Sequence, residues 1–348
     1  MLTIYDSQKI KVISLVCIIL VLYIHSDFHD YTHEIAGMPF NHYLQDAISG
    51  QIGRCAVPMF YMISGFLFFQ NVHTMDDVWM KMRKRVCTLL VPYVIAALFM
   101  PLFLVVMDLL PFVAQFNNGS GFIDNFRLPT GDIVSALFYK APGSSFPLAF
   151  HLWFLRDLII VVAVSPLLYI IRKCIGGGNV VALLFISTYF DVVYIPIYAL
   201  FWFVLGDNVI GRLHKFDSPV WIGFFVFLSI WEVVFSGEFW HYLKIPIIFT
   251  GIVSIWNIYD RFVGENFNLN KHRWLLLACQ FTFFIYLFHE PTLNVVRKLL
   301  LVPLGHTSLG FALDYILSPW IFMIMFVGVG YYFRKHLPWL YGICVGGR

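Results

Sequence analysis

The sequence predicts an all-α membrane protein, a polytopic helical bundle of about ten transmembrane segments with both termini in the cytoplasm. Three observations predict it. Of 348 residues, 60% are hydrophobic and only 12% charged, whereas soluble domains carry about 25% charged residues. Apolar runs of membrane-spanning length recur along the whole chain, which excludes a soluble enzyme with a single anchor. Lys and Arg gather on alternate sides of these runs, as the positive-inside rule requires.

Taken in order, the predicted spans cover 9–26, 52–70, 86–110, 150–172, 178–191, 193–211, 219–236, 244–261, 273–290 and 310–334. Polar or turn residues punctuate them at Asp27–Asp46, Asn117–Gly121, Gly176–Asn179, Asp217–Pro219 and Gly264–Lys271. The segment 178–191 is short against the ~17–25 residues a span needs. With the N-terminus inside, 16 of the 23 Lys and Arg fall on the cytoplasmic side and six outside, with Arg156 alone within a span. The first span is expected to stay in place, because no small-residue cleavage pattern follows Leu15–Ile24. No fixed-period repeat and no separate soluble domain is visible, so residues 1–348 read as one transmembrane domain. A net charge of +3 gives no electrostatic footprint for nucleic acid. Six scattered cysteines (Cys17, Cys55, Cys87, Cys174, Cys279, Cys344) have neither CxxC nor metal-ligand spacing, so neither disulfide nor metal is expected.

Orientation sorts the titratable residues. His25, His151 and His289, the last with Glu290 beside it, fall at the outer ends of the first, fourth and ninth spans. The outer segment 27–51 adds Asp27, His29, Asp30, His33, Glu34, His42 and Asp46. Imidazoles titrate near neutrality, and matching depth predicts that His25, His151 and the His289–Glu290 pair approach one another around an outward-facing cavity. Arg156 and Asp157 stand side by side within a span, where each charge costs ~2.5–3.5 kcal/mol on insertion scales. They are expected to face the interior, satisfied by partners on other helices. Arg156 lies about 7 Å deeper than His151 and roughly 140° around the helix, so the two do not share a narrow face. Pro58, Pro92, Pro166, Pro196 and Pro246 fall within spans, where broken helices line cavities. The pair Ser64–Gly65 permits close helix approach.

Several stretches together resemble acyltransferase family 3, membrane proteins that O-acylate surface polysaccharides and related acceptors. They are "KVISLVCIILVLYIHS" ending around His25, "RCAVPMFYMISGFLFF" from Arg54, "WMKMRKRVCTLLVPYV" from Trp79, "HLWFLRDL" from His151 and "TFFIYLFHEP" from Thr282. Their order and spacing cover nearly the whole chain. One departure stands out. The family pattern has a basic residue eleven positions before its essential histidine, and here that position is Ser14. Eleven residues return to within about 20° of one helix face, and Lys11, fourteen residues back, to within roughly 40° one turn deeper. Either Lys11 takes the basic role from below, or the helix is wound differently, or the role is lost.

The resemblance implies a donor, acyl-CoA and most often acetyl-CoA, reaching the protein from the cytoplasm, and a glycan or lipid-linked sugar acceptor at a bacterial inner membrane. Lys81, Arg83, Lys84 and Arg85 form a cytoplasmic cluster suited to donor phosphates; contact with anionic membrane lipid is the other reading of the same charges. Lys11 and Arg156 are further candidates for the donor path. His25, matching the family's essential histidine, is the candidate base for the acceptor hydroxyl. His151, His289 and Glu290 are candidates beside it, and Arg54 and Tyr286 could steady the oxyanion. Direct transfer and an acyl-histidine intermediate are both chemically open. A secondary transporter, favoured by the interior prolines and the Arg156–Asp157 pair, and a non-catalytic partner in glycan assembly are the competing functions.

Overall fold

A computed structural model describes residues 3–27, 43–110, 133–141, 144–190, 196–235, 240–264 and 267–347. His29, Asp30, His33, Glu34, His42 and the segment Asn117–Gly121 lie outside the described residues. Those described are helical, turn or irregular, with no strand among them. The chain forms two compact units, each built from two separate stretches. Unit 1 comprises Met1–Met82 and Val161–Thr282; unit 2 comprises Arg83–Ile160 and Phe283–Arg348.

In unit 1, α1 (Ile4–His25) starts at a capping box: the Thr3 side chain accepts from the Asp6 N–H, and the Asp6 carboxylate accepts from the Thr3 N–H. Two otherwise orphaned donors are thereby satisfied. A π-helical turn (Asp46–Ile52) and a 3-10 turn (Gly53–Cys55) lead into α2 (Ala56–Phe69). After the first turns of α3 (Met75–Asp108), unit 1 resumes with α6 (Ser165–Ile175), α7 (Gly177–Ser187), α8 (Ile197–Val209), α9 (Val220–Val234) and α10 (Trp240–Val263). The central contact joins α2 and α8. A Cβ on Gly65 would stand 1.8 Å from the Phe203 carbonyl oxygen, and one on Gly206 would stand 2.0 Å from that of Met62. Only hydrogen at both positions lets the two backbones touch, which is the use of small residues between membrane helices.

Unit 2 holds the rest of α3, α4 (Ile133–Phe138), most of α5 (Trp153–Ala163), α11 (Arg273–Leu304) from Phe283 onward, α12 (Ser308–His336) and α13 (Pro338–Cys344). On α3, Leu89, Tyr93, Ala96, Ala97, Met100 and Leu104 are buried, a stripe at helical spacing. The opposite side exposes Leu90, Val91, Leu98, Leu102, Val105 and Val106. A helix apolar all round belongs in lipid. On α12, Phe311, Tyr315, Phe322 and Phe326 form the matching inward stripe, the last two stacked at 4.1 Å between ring centroids.

Each predicted span contains helix, but helix length does not carry a count of ten. Among the described residues five helices are long and apolar enough to cross a membrane: Ile4–His25, Tyr43–Phe69, Met75–Asp108, Tyr242–Val263 and Ser308–His336. A sixth is added if Phe150–Ala163 and Ser165–Ile175, bent by 57°, form one span. The 11 residues of α7 reach only about 17 Å at ~1.5 Å per residue, against a hydrocarbon core of ~30 Å. Hydropathy averages across breaks of this kind. Residues 291–309, expected as an outer loop, are helical through Leu304.

Candidate functional site

The site in unit 2 begins with a proline. Pro291 has no N–H to give the Leu287 carbonyl one turn back, and the residue before a proline is pushed out of the helical region. Glu290 accordingly sits at φ −106°, ψ 135° inside α11. Side chains take over the carbonyls around the break. His289 Nδ1 lies 2.7 Å from the Tyr286 carbonyl oxygen, and His151 Nε2 lies 3.3 Å from that of Leu287. The Thr292 hydroxyl donates to the carbonyls of Phe288 and His289, at 2.5 and 3.1 Å.

His151 comes from the 3-10 turn Phe150–Leu152 that opens α5. Tyr286 holds this turn by donating its hydroxyl to the His151 carbonyl at 3.1 Å, with its ring edge-on to Phe154. The result is two imidazoles in contact, centroids 4.9 Å apart at 76°, with His151 2% and His289 0% exposed. A carbonyl only accepts, so the proton sits on Nε2 of His151 and on Nδ1 of His289. The other nitrogen of each neutral ring carries a lone pair. Nδ1 of His151 has no hydrogen-bond partner among the described residues. Buried, tautomerically fixed imidazoles can take a proton or accept a hydrogen bond from a hydroxyl.

Glu290, 2% exposed, accepts from Asn294 Nδ2 at 2.8 Å. Further along α11, Arg297 donates from Nε to Asp314 of α12 at 3.2 Å, both buried. The predicted spans leave 291–309 as an outer segment and so do not announce this pair; the spacing of Leu293, Val296 and Leu301, all buried, is the sign of helix there.

Other expectations change. The Tyr286 hydroxyl is committed to the His151 backbone and is not an open oxyanion donor. Arg156 and Asp157 are satisfied locally, not by other helices. Arg156 bonds Asp157 at 2.8 Å and donates to the carbonyls of Tyr139 and Ser145 at 2.7 and 3.0 Å, pinning the chain ahead of α5. The ion pair that suggested a transporter is thereby accounted for as architecture.

Unit 1 holds His25, half-buried as the last residue of α1, and Arg54, exposed on the 3-10 turn Gly53–Cys55. Lys11 is exposed instead of turned inward, and Ser14 is half-buried. The buried lysine of α1 is Lys9, 2% exposed, paired with Asp260 at 2.5 Å and 4.0 Å above the Trp256 ring. Asp260 also accepts from the Tyr5 hydroxyl at 2.5 Å. The carboxylate at the end of the eighth predicted span was the sign available in the sequence. A cavity of about 730 Å³ opens here. Among the described residues its lining includes Asp6, Asp217 and Asp260 together with Lys9. In the basic cluster, Lys81 caps the end of α2 by donating to the carbonyls of Phe68 and Gln70. Arg83 and Lys84 are exposed and Arg85 is half-buried.

A family model described as an acyltransferase domain, that of acyltransferase family 3, matches residues 10–335. The chain is similar to the succinoglycan biosynthesis protein ExoH of Rhizobium meliloti (strain 1021), 24% identical over 313 residues that cover 85% of this chain and 80% of that protein. No solved structure matches.

Proposed function

From the premise that this chain belongs to acyltransferase family 3 and is a membrane acyltransferase, we propose that it transfers an acyl group, acetyl foremost, from cytoplasmic acyl-CoA to a hydroxyl of a surface polysaccharide or its lipid-linked precursor. The acceptor class is supported by the succinoglycan relative, and a bacterial inner membrane is the corresponding location. The observation that carries the chemistry is the His151–His289 contact, two buried neutral imidazoles with defined lone pairs.

In this reading His25, at the position of the family's essential histidine, takes the proton of the acceptor hydroxyl. The hydroxyl oxygen attacks the thioester carbonyl, the C–S bond breaks, and the coenzyme thiolate leaves, protonated from the imidazolium. Arg54, in the same unit as His25, steadies the oxyanion; in unit 2, His151 and His289 form a proton-accepting centre, and Glu290 orders the break beside them. Arg83, Lys84 and Arg85 hold donor phosphates. Arg156 acts on the donor path only through the segment it pins, and Lys11 serves at the cytoplasmic end of α1.

The test is thiol release from acetyl-CoA by the purified protein with an oligosaccharide acceptor, with the ester located by mass spectrometry. His25→Ala is expected to lower the rate about a hundredfold or more. Wild-type protein that releases no thiol with any glycan acceptor would point to a non-catalytic partner instead.

A further inference from the structure

Four consecutive carbonyls of α11, those of Tyr286, Leu287, Phe288 and His289, accept hydrogen bonds from side chains. In an uninterrupted helix they would accept from the N–H groups of residues 290–293. Pro291 removes one of those donors outright, the one belonging to Leu287. The donor that takes its place is His151 Nε2, and because the Leu287 carbonyl can only accept, the proton of that ring sits on Nε2. The neighbouring Tyr286 serves both rings: its carbonyl receives from His289 Nδ1 and its hydroxyl holds the turn bearing His151.

We propose that Pro291 and Tyr286 are positioning residues that fix the tautomer of each buried histidine and leave Nδ1 of His151 as the nitrogen that can accept a proton. Pro291 leaves the Leu287 carbonyl open, and His151 is thereby held with its proton on Nε2 and its lone pair on Nδ1. Tyr286 holds His289 in the opposite tautomer and keeps the two rings in contact. The helix break is thus the device that gives the pair one protonation pattern out of four. A neutral imidazole without such a partner exchanges its tautomers, and only one of them presents a given nitrogen as base. The inference rests on reading the pair as a proton-handling centre, but its spectroscopic test does not.

The experiment is ¹⁵N NMR of histidine-labelled protein in nanodiscs, with His151→Gln and His289→Gln difference spectra assigning the two rings. Wild type is expected to show His151 protonated on Nε2 and His289 on Nδ1. Pro291→Ala restores an N–H for Leu287, and the His151 signal should move toward the other tautomer while that of His289 stays. The same variant should lose about tenfold or more in kcat, with KM for acetyl-CoA unchanged. Tyr286→Phe keeps the carbonyl and the ring, so the His289 tautomer should persist while His151 loses its single form. Wild-type His151 protonated on Nδ1, or an unmoved His151 signal in Pro291→Ala, overturns the proposal. If Pro291→Ala does not fold, a ¹³C–¹⁵N coupling between the Leu287 carbonyl and His151 Nε2 in wild type decides: its presence upholds the assignment and its absence refutes it. Correct tautomers in a protein that transfers no acyl group would refute the enzymatic reading and leave this one standing.

Discussion

Lys9 and Asp260 form an ion pair at 2.5 Å between α1 and α10, with the lysine side chain 2% and the aspartate 23% exposed. Removing one partner of a buried pair costs ~3–5 kcal/mol, mostly because the other charge is left behind. Asp260 is partly wet, so Asp260→Asn should fall toward the low end of that range. The double variant Lys9→Met/Asp260→Asn should recover part of the loss, since it strands no charge. Thermal unfolding in detergent measures both, and a double variant less stable than Asp260→Asn alone would contradict the account.

Lys11, two residues on, is exposed. Lys11→Met is expected to shift stability by no more than about 0.5 kcal/mol, as for surface substitutions generally. A loss matching that of Asp260→Asn would mean that Lys11 has a buried partner after all.

Gly65→Ala and Gly206→Ala each drive a methyl group into a backbone carbonyl, at 1.8 and 2.0 Å before relaxation. The atoms in the way are main chain and have no rotamer to change. Overpacking typically costs ~1–3 kcal/mol, and these two should lie at or beyond the upper end. The expected readout is loss of the monodisperse peak in size-exclusion chromatography; wild-type elution and melting would show that α2 and α8 do not meet at these glycines.

Lys81 and its neighbours should separate by phenotype. Lys81→Met uncaps the carbonyls of Phe68 and Gln70 and should lower stability by about 1.5–3 kcal/mol, the range for hydrogen bonds to charged groups. Arg83→Gln and Lys84→Gln should leave stability alone and raise KM for acetyl-CoA. Equal KM in wild type and an Arg83→Gln/Lys84→Gln double variant would leave lipid contact as the cluster's role.

Arg156→Gln should release Tyr139 and Ser145, whose carbonyls it holds. Limited proteolysis should then cut there faster than in wild type, while Asp157→Asn, which keeps those two bonds, should change the cutting pattern much less.

What the sequence made legible follows from what hydropathy and spacing report. The apolar composition identified an all-helical membrane protein, and Ser64–Gly65 marked the place where two backbones touch. The number of crossings was not legible, because an averaged window passes over the break at Val164 and the non-helical Glu290 without registering either. The family pattern drew attention to Lys11 and Ser14 on α1, while the lysine that is buried there is Lys9, and its burial is decided by Asp260, 251 residues away. The satisfaction of Arg156 was equally hidden, since its partners are backbone carbonyls of a preceding irregular segment and carry no residue signature. Around the histidines, the motif showed which side chains were present. Their protonation pattern depends on carbonyls set free by a proline, which a one-letter string does not display.

The glycine crossing of α2 and α8 also bears on how the molecule is made. Ribosomes add roughly 5–20 residues per second, and roughly 130 residues separate Phe69 from Ile197. For on the order of ten seconds, nascent α2 therefore awaits the partner that covers Met62 and Gly65 from α8, while α3 to α7 are made after it. A helix in that state attracts any other small-residue helix nearby, a second nascent copy included. Substitutions that slow synthesis between the two helices, or that lengthen the intervening segments, should lower the yield of correctly assembled protein without altering the stability of the molecules that do assemble.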